Sequence, residues 1–454
     1  MSARLDASAW RPIHTRIVLA LGVGWALDSF EIQIIGSVIG PIGHDFHLSA
    51  DQQAVWYWIV WFVGIMIGAL GFGYLADRVG RRRLFSATLI LYSVAAILTA
   101  TSWGYASFLF FRFLTALGVG GEYSAVSSAM AEFVPARVRG RTNALIMNFW
   151  SLGGIVAGIV GIVFINGVLG AHGWRYAFLF GAVSAFYGLY VRRVIPESPR
   201  WLAARGRLEE ADAVIERISG IPGEGTAYAG HELRSNFAGQ LRELWREHRP
   251  ELIYGMTLDF SEAAAYYGIF SFIAVFVLVP GVVDVGAGSV PWYFVVANLG
   301  AVVGGLSVAW ALERIGRKPT VFAAYTAAAL STLGLAWAAT QHSATLTLIT
   351  LTIAVLFASA AWMSAYPTFS ELFPTHLRAT AVGACVGFGR IGAIVGVVVL
   401  AKTASQFGLW SAFLSLSALW TIGALASAVW WRRGREGRGV TLETLAKRPA
   451  LAEA

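Results

Sequence analysis

Gly73-Tyr74-Leu75-Ala76-Asp77-Arg78-Val79-Gly80-Arg81-Arg82-Arg83 returns, 236 positions later, as Ala309-Trp310-Ala311-Leu312-Glu313-Arg314-Ile315-Gly316-Arg317-Lys318-Pro319. In both copies an apolar run ends in an acid, an arginine, a glycine and a knot of positive charge, and a second apolar run follows. Two further landmarks repeat at nearly the same distance. Leu27-Asp28-Ser29-Phe30-Glu31 is echoed by Leu258-Asp259-Phe260-Ser261-Glu262, 231 positions on. Ala131-Glu132-Phe133-Val134-Pro135, followed by Arg139, is echoed by Ser370-Glu371-Leu372-Phe373-Pro374, followed by Arg378. The chain is a duplicated unit.

Working outward, the landmarks sit in or between long apolar runs near 13–39, 54–76, 84–102, 105–133, 142–165 and 175–195. Six more lie near 251–279, 290–312, 319–340, 344–372, 379–401 and 408–431. Each is long enough for a spanning helix of about 20 residues. Only 13% of the 454 residues are charged and 57% are hydrophobic, against about 25% charged in globular domains. The first run is too long for a signal-peptide core and lacks a small-residue cleavage site, so it reads as retained. The expected fold is an all-α membrane protein. It has 12 transmembrane helices in two pseudo-symmetric six-helix bundles, with short cytoplasmic helices in the central loop. The expected divisions are 1–195, a linker over 196–250, 251–431, and a tail over 432–454.

The net charge of +8 invites a nucleic-acid reading, which the placement of the charge removes. With the N-terminus inside, 34 Lys and Arg all fall on cytoplasmic segments except Arg175 and Lys402 on outer connections and Arg112 and Arg390 within spans. That asymmetry is an orientation signal, and no soluble basic face is left to hold nucleic acid. Both termini are expected to be cytoplasmic, in a bacterial-type inner (plasma) membrane. The single cysteine, Cys385, rules out disulfides and Cys/His metal spacings; it reads as a small core residue. No metal and no cofactor is expected.

Gly73 to Arg83 resembles the signature loop between helices 2 and 3 of the major facilitator superfamily. Pro196-Glu197-Ser198-Pro199-Arg200-Trp201-Leu202 resembles the segment after helix 6 in its sugar-porter branch, and Arg112 with Gly118, Gly120 and Gly121 resembles that branch's helix 4. The resemblance implies a secondary active transporter that works by alternating access, as a monomer, with its substrate site between the halves. Asp28-Ser29-Phe30-Glu31 is similar to the Asp-Gly-x-Asp of aromatic-acid/proton symporters, with a Glu and without the Gly. In helix 7, where hexose carriers show Gln, Gln and Asn, this chain has Met256, Thr257 and Glu262. The amides that would grip sugar hydroxyls are gone, so a hexose is not expected.

The chemistry concentrates in buried charge. A carboxylate at bilayer depth costs a few kcal/mol, so intramembrane acids mark function. Asp28 and Glu31 lie three apart, on one helix face, as do Asp259 and Glu262. An acid kept from water favours its neutral form, and a like charge one turn away favours it further. Such a pair can carry a proton, with Arg112 promoting release. All eight histidines (His14, His44, His47, His172, His231, His248, His342 and His376) read as outside the spans, which leaves the acids as carriers. Glu122, in Gly120-Gly121-Glu122-Tyr123, resembles an acid seen in phosphate and other metabolite/proton symporters; it is a candidate for substrate or for a bond inside the bundle.

Arg390, in Gly387-Phe388-Gly389-Arg390-Ile391-Gly392, cannot shed its proton and must find an anion, a carbonyl or water. Organic-anion carriers of the superfamily show a similar arginine. The expected substrate is a small organic anion, a monocarboxylate or aromatic acid. Arg390 would meet its carboxylate, and Tyr266, Tyr267, Trp150, Trp362, Tyr366 and Phe388 would surround its body. The competing assignment pairs Arg390 with Asp259 or Glu262 across the interface of the halves.

A cytoplasmic gate is expected from Gly73, Asp77, Arg78, Gly80, Arg81 and Arg82, with Glu132 and Arg139. Its echo is Glu313, Arg314, Arg317 and Lys318, with Glu371 and Arg378. Exposed ion pairs are worth only about 0–1 kcal/mol each, so such a gate must be a network that opens at small cost. In the linker, Leu208, Ala211, Ala213, Val214 and Ile218 form one apolar stripe; Leu233, Phe237, Leu241, Leu244 and Trp245 form another at helical spacing. The small residues Gly118, Gly120, Gly153, Gly154, Gly158 and Gly161 read as close helix contacts. An intramembrane enzyme is not expected, for want of an in-span nucleophile–base pair or metal triad. Proton-driven export of drug-like compounds and sugar or phosphate symport stay open as alternatives.

Overall fold

In the computed structural model, residues 4, 8–49, 52–135, 138–165, 172–182, 187, 190, 194–222, 237–278 and 282–436 are described. Backbone alone is described at 54, 73–74, 76–78, 81, 123–132, 139, 165, 200, 204, 287, 375–376 and 379. Lipid offers a backbone no hydrogen-bond partners, so a chain this apolar must satisfy its amides within helices. Among the described residues the structure is helical with no strand. The first set is α1 (Pro12–Asp45), α2 (Tyr57–Val79), α3 (Arg81–Ala100), α4 (Tyr105–Phe133), α5 (Arg139–Ile165) and α6 (Gly173–Gly181). The second set is α10 (Arg249–Phe272), α11 (Val290–Arg314), α12 (Arg317–Thr340), α13 (Ala344–Glu371) and α14 (Thr375–Arg433).

Among the described residues, eight helices are long and apolar enough to cross a membrane. The last of them is two helices in one, because Gly408 interrupts α14 with φ 82°. A side chain there would be strained, so the glycine is what lets the eleventh span turn into the twelfth. The twelve-helix, two-bundle architecture follows. The repeated Gly80 and Gly316 also have positive φ, 99° and 109°, each directly before α3 and α12. The duplicated motif therefore specifies one tight turn twice.

Small residues set the helix spacings. A Cβ on Gly68 would strike the Leu117 carbonyl and one on Gly120 the Ile65 carbonyl, between α2 and α4. Gly300 and Gly304 do the same between α11 and α13. All six glycines singled out in the sequence are in close contact: Gly153, for instance, lies on the Ala26 carbonyl and Gly158 on Val295. The two bundles meet along α5 with α11 and along α2 with the first part of α14.

The linker holds three short helices, α7 (Pro199–Ala204), α8 (Leu208–Ser219) and α9 (Phe237–Glu247). Sequence periodicity marks only α8 and α9. Ser198 starts α7 by accepting the Trp201 amide, with Pro199 in the first turn. On α8 the buried residues are Ala211, Ile215, Ile218 and Ser219, while Leu208 is exposed, which corrects the stripe. On α9 Leu244 is buried, Trp245 is exposed, and Leu233 lies outside the described residues. Gln240 accepts a hydrogen bond from Thr380 and so pins α9 to α14.

Candidate functional site

All four acids of the mirrored pairs are buried: Asp28, Glu31, Asp259 and Glu262. The sequence reading pairs them as couplets; the structure divides the first couplet. Glu31 accepts from Arg112 Nη1 at 2.8 Å, and Arg112 Nη2 also donates to the Glu31 carbonyl at 2.6 Å. The guanidinium is held between the rings of Trp61 and Phe178, 4.3 and 4.8 Å from their centroids. On the far side the Glu31 carboxylate fills the space that a Cβ on Gly181 would take. Asp28 faces elsewhere, toward the Glu122 carboxyl, with the Tyr92 hydroxyl alongside. Glu122 is thus a partner within the bundle, one of the two readings its sequence context allows.

The second half is built more loosely. Arg390 Nη2 is 3.8 Å from Asp259 Oδ2, too far for a hydrogen bond. The same nitrogen donates to the Tyr366 hydroxyl at 3.2 Å, and Nε donates to the Val386 carbonyl at 3.4 Å. The guanidinium lies over the Tyr267 ring, 5.3 Å from its centroid. Gly389 is needed here, because a Cβ would occupy the position of the Asp259 carboxylate. Asp259 and Arg390 stand on α10 and α14 of one bundle, so this pair does not bridge the halves.

The bridge is aromatic and amide. Trp25 of α1, Trp150 of α5 and Trp362 of α13 pack on one another with centroids 5.1–6.3 Å apart. Tyr266 and Tyr366 flank Trp362 at 6.0 and 5.9 Å. Tyr267 packs on Phe62 of α2 at 4.8 Å. Asn298 of α11 donates to Gln33 of α1 at 2.9 Å, and Gln33 donates to Ser29 at 2.7 Å. Asn148 of α5 donates to the Val302 carbonyl of α11 at 3.1 Å. A narrow slot beside these rings is lined by Gln33, Gly36, Trp58, Tyr266, Tyr267 and Phe294. Phe388 is a correction: it is 37% exposed and packs on Phe260, so it faces outward. Trp25, Gln33 and Asn298 were not singled out in the sequence, although a lone amide inside an apolar run is a signal. His14 is a further correction, since it lies buried in the first turn of α1. Cys385 is free and buried.

At the end of the molecule bearing the linker helices, some of the residues named for a gate meet one another. Arg317 grips Glu371 through Nε and Nη2 at 3.1 and 3.2 Å and donates to the Leu312 carbonyl at 3.0 Å. It also crosses to the first bundle, where a Cβ on Gly140 would lie 2.6 Å from its Nη2. Glu371 is therefore held by Arg317, whereas Arg378 donates to the Ser370 and Phe373 carbonyls. Glu313 makes no ion pair with Arg314 or Arg317 among the described residues. The side chains of Asp77, Arg78, Arg81, Glu132 and Arg139, and the surroundings of Gly73, lie outside the described residues.

A fourth repeat becomes visible only in three dimensions. The Glu436 carboxylate accepts the backbone amides of Arg317 and Lys318 at 2.9 and 3.2 Å. The Glu197 carboxylate accepts the Arg82 amide at 3.4 Å, beside Gly80. Each carboxylate sits on the positive end of a helix that opens after the repeated glycine, an arrangement worth about 0.3–1 kcal/mol. Glu436→Ala is expected to cost about 1 kcal/mol. Thermal exposure of Cys385 to a fluorogenic maleimide would read this, and an unchanged midpoint would count against the cap.

The family model for sugar (and other) transporters matches residues 18–414. The niacin transporter NiaP of Acinetobacter baylyi is 31% identical over 439 residues, covering 95% of this chain and 96% of that protein. A putative niacin/nicotinamide transporter of Bacillus subtilis is 28% identical over 437 residues, covering 95% and 99%. Among solved structures, the major facilitator superfamily proton:xylose symporter XylE bound to 6-bromo-6-deoxy-D-glucose superposes with a TM-score of 0.76 at 18% identity, covering 95% of this chain and 98% of that one. At that identity the likeness is one of fold.

Proposed function

The chain belongs to the sugar (and other) transporter family of the major facilitator superfamily, and from that premise we propose that it carries a small aromatic monocarboxylate together with a proton. The observation that supports this reading is Arg390, a permanent cation buried beside Tyr267 and Tyr366, the second of which packs on Trp362. A flat anion complements that setting: the rings take its faces and the guanidinium its carboxylate. Niacin, which the Acinetobacter baylyi relative transports, is a flat pyridine carboxylate of this kind. Asp28 and Glu31, with Arg112, would hold the travelling proton, with Glu122 set against Asp28; Glu262, Trp150, Trp362 and Tyr266 would complete the site. Residues 1–195 and 251–431 would rock about it as two bundles, with both termini cytoplasmic in an inner membrane.

Proteoliposomes with an acidic exterior should accumulate labelled nicotinate, an uncoupler should abolish the accumulation, and benzoate but not xylose should compete. Accumulation that ignores the uncoupler would remove proton coupling; competition by xylose alone would remove the anion. Glu31→Gln keeps an acceptor for Arg112. It is expected to keep exchange of nicotinate across the membrane and to lose gradient-driven accumulation.

A further inference from the structure

The two buried arginines differ in how they meet their acids. Arg112 makes two short bonds to Glu31, and rings close both its faces. Arg390 meets its acid at 3.8 Å without a hydrogen bond, and one ring lies beneath it. The groups facing Asp259 are Arg390 and Cys385 of α14, Tyr366 of α13, Tyr325 of α12 and, on its own helix, Glu262. Among the described residues, Arg390 is the cation that faces Asp259. Gly389 has no side chain, and the Asp259 carboxylate occupies the space that this leaves. An acid held so close to an arginine, yet not bonded to it, occupies the position a carboxylate ligand would seek.

We propose that Asp259 stands in for the substrate's carboxylate: it neutralises Arg390 in the empty carrier and yields that role to the incoming anion by taking up a proton. The proposal rests on the organic-anion reading above and adds to it the residue that links anion to proton in the second bundle. A proton from water on the loading side binds a carboxylate oxygen of Asp259. Arg390 then pairs with the substrate carboxylate, and the buried site keeps its net charge. After the bundles rock, the anion leaves, Asp259 returns its proton to water on the other side, and the internal pair re-forms. Through the Asp259 site one proton has moved with one anion, in addition to the proton assigned to Asp28 and Glu31, and no covalent bond other than that to the proton has been made or broken.

Full-length protein in nanodiscs, probed with labelled nicotinate between about pH 5.5 and about pH 8, tests this. Where Asp259 is charged, wild-type affinity should weaken about tenfold for each unit of rising pH. In weak buffer, binding should take up close to one proton per nicotinate. Asp259→Asn should bind at the alkaline end as tightly as wild type does at the acidic end, with no pH slope and no proton uptake. A variant that keeps the wild-type slope and uptake would overturn the proposal while leaving the organic-anion reading intact. Wild type that binds nicotinate with no proton uptake would do the same without recourse to any variant, and so covers the case in which Asp259→Asn fails to fold. Wild type that binds neither nicotinate nor benzoate at any pH would overturn the organic-anion reading, and this proposal with it.

Discussion

Replacing Glu31 by leucine is expected to leave almost no folded protein, and replacing Glu31 and Arg112 by leucine together is expected to restore it. Both side chains are fully buried and bonded to each other. Removing one member of such a pair strands the other, at a cost of about 3–5 kcal/mol, whereas removing both removes the uncompensated charge. The two single changes should not be equal. A stranded glutamate can take up a proton and become neutral, but a stranded guanidinium cannot lose one. Glu31→Leu should therefore be more damaging than Arg112→Leu, and the double change milder than either. Folded yield after detergent extraction and the temperature at which Cys385 becomes reactive both report this. Equal, mild losses for the two single variants would show that the pair contributes little to holding α1, α4 and α6 together.

A second large effect is expected where α10 and α14 touch. A Cβ on Gly392 would meet the Phe260 carbonyl and one on Gly396 the Ala264 carbonyl, backbone against backbone. No rotamer can relieve such a clash, so leucine at either position must push the helices apart. The expected cost is about 3 kcal/mol or more, and Asp259 and Arg390 lie on the same two helices, so transport should be lost along with stability. Gly334, in the middle of α12, has nothing within 4 Å of an added Cβ. Leucine there is the internal control and should be neutral or slightly stabilising, since glycine within a helix is unfavourable by about 1 kcal/mol relative to alanine. If Gly392→Leu and Gly334→Leu behave alike, close packing at this contact is not what the glycines supply.

Length and hydropathy made most of the architecture readable in advance, because a bilayer demands apolar helices of fixed reach. Gly80 and Gly316 stand at the turns with positive φ, a backbone shape few other residues take. The site was legible as a set of residues but not as a set of partnerships. Asp28 and Glu31 share a helix face, yet they are offset by about 4.5 Å along the axis. That offset is enough for one to meet Glu122 and the other Arg112. Which way Phe388 points depends on the tilt of its helix, which composition does not encode. Likewise, only the folded chain brings Glu197 and Glu436 to equivalent helix starts, because no apolar pattern surrounds them.

The placement of Glu436 has a practical side. Any fluorescent reporter or purification handle spliced directly after Arg433 would delete the clasp at the head of α12, three residues beyond the last helical turn. Fusion junctions for this carrier belong downstream of Glu436, and a tagged protein that reads as sluggish or fragile should first be checked for where its junction was cut.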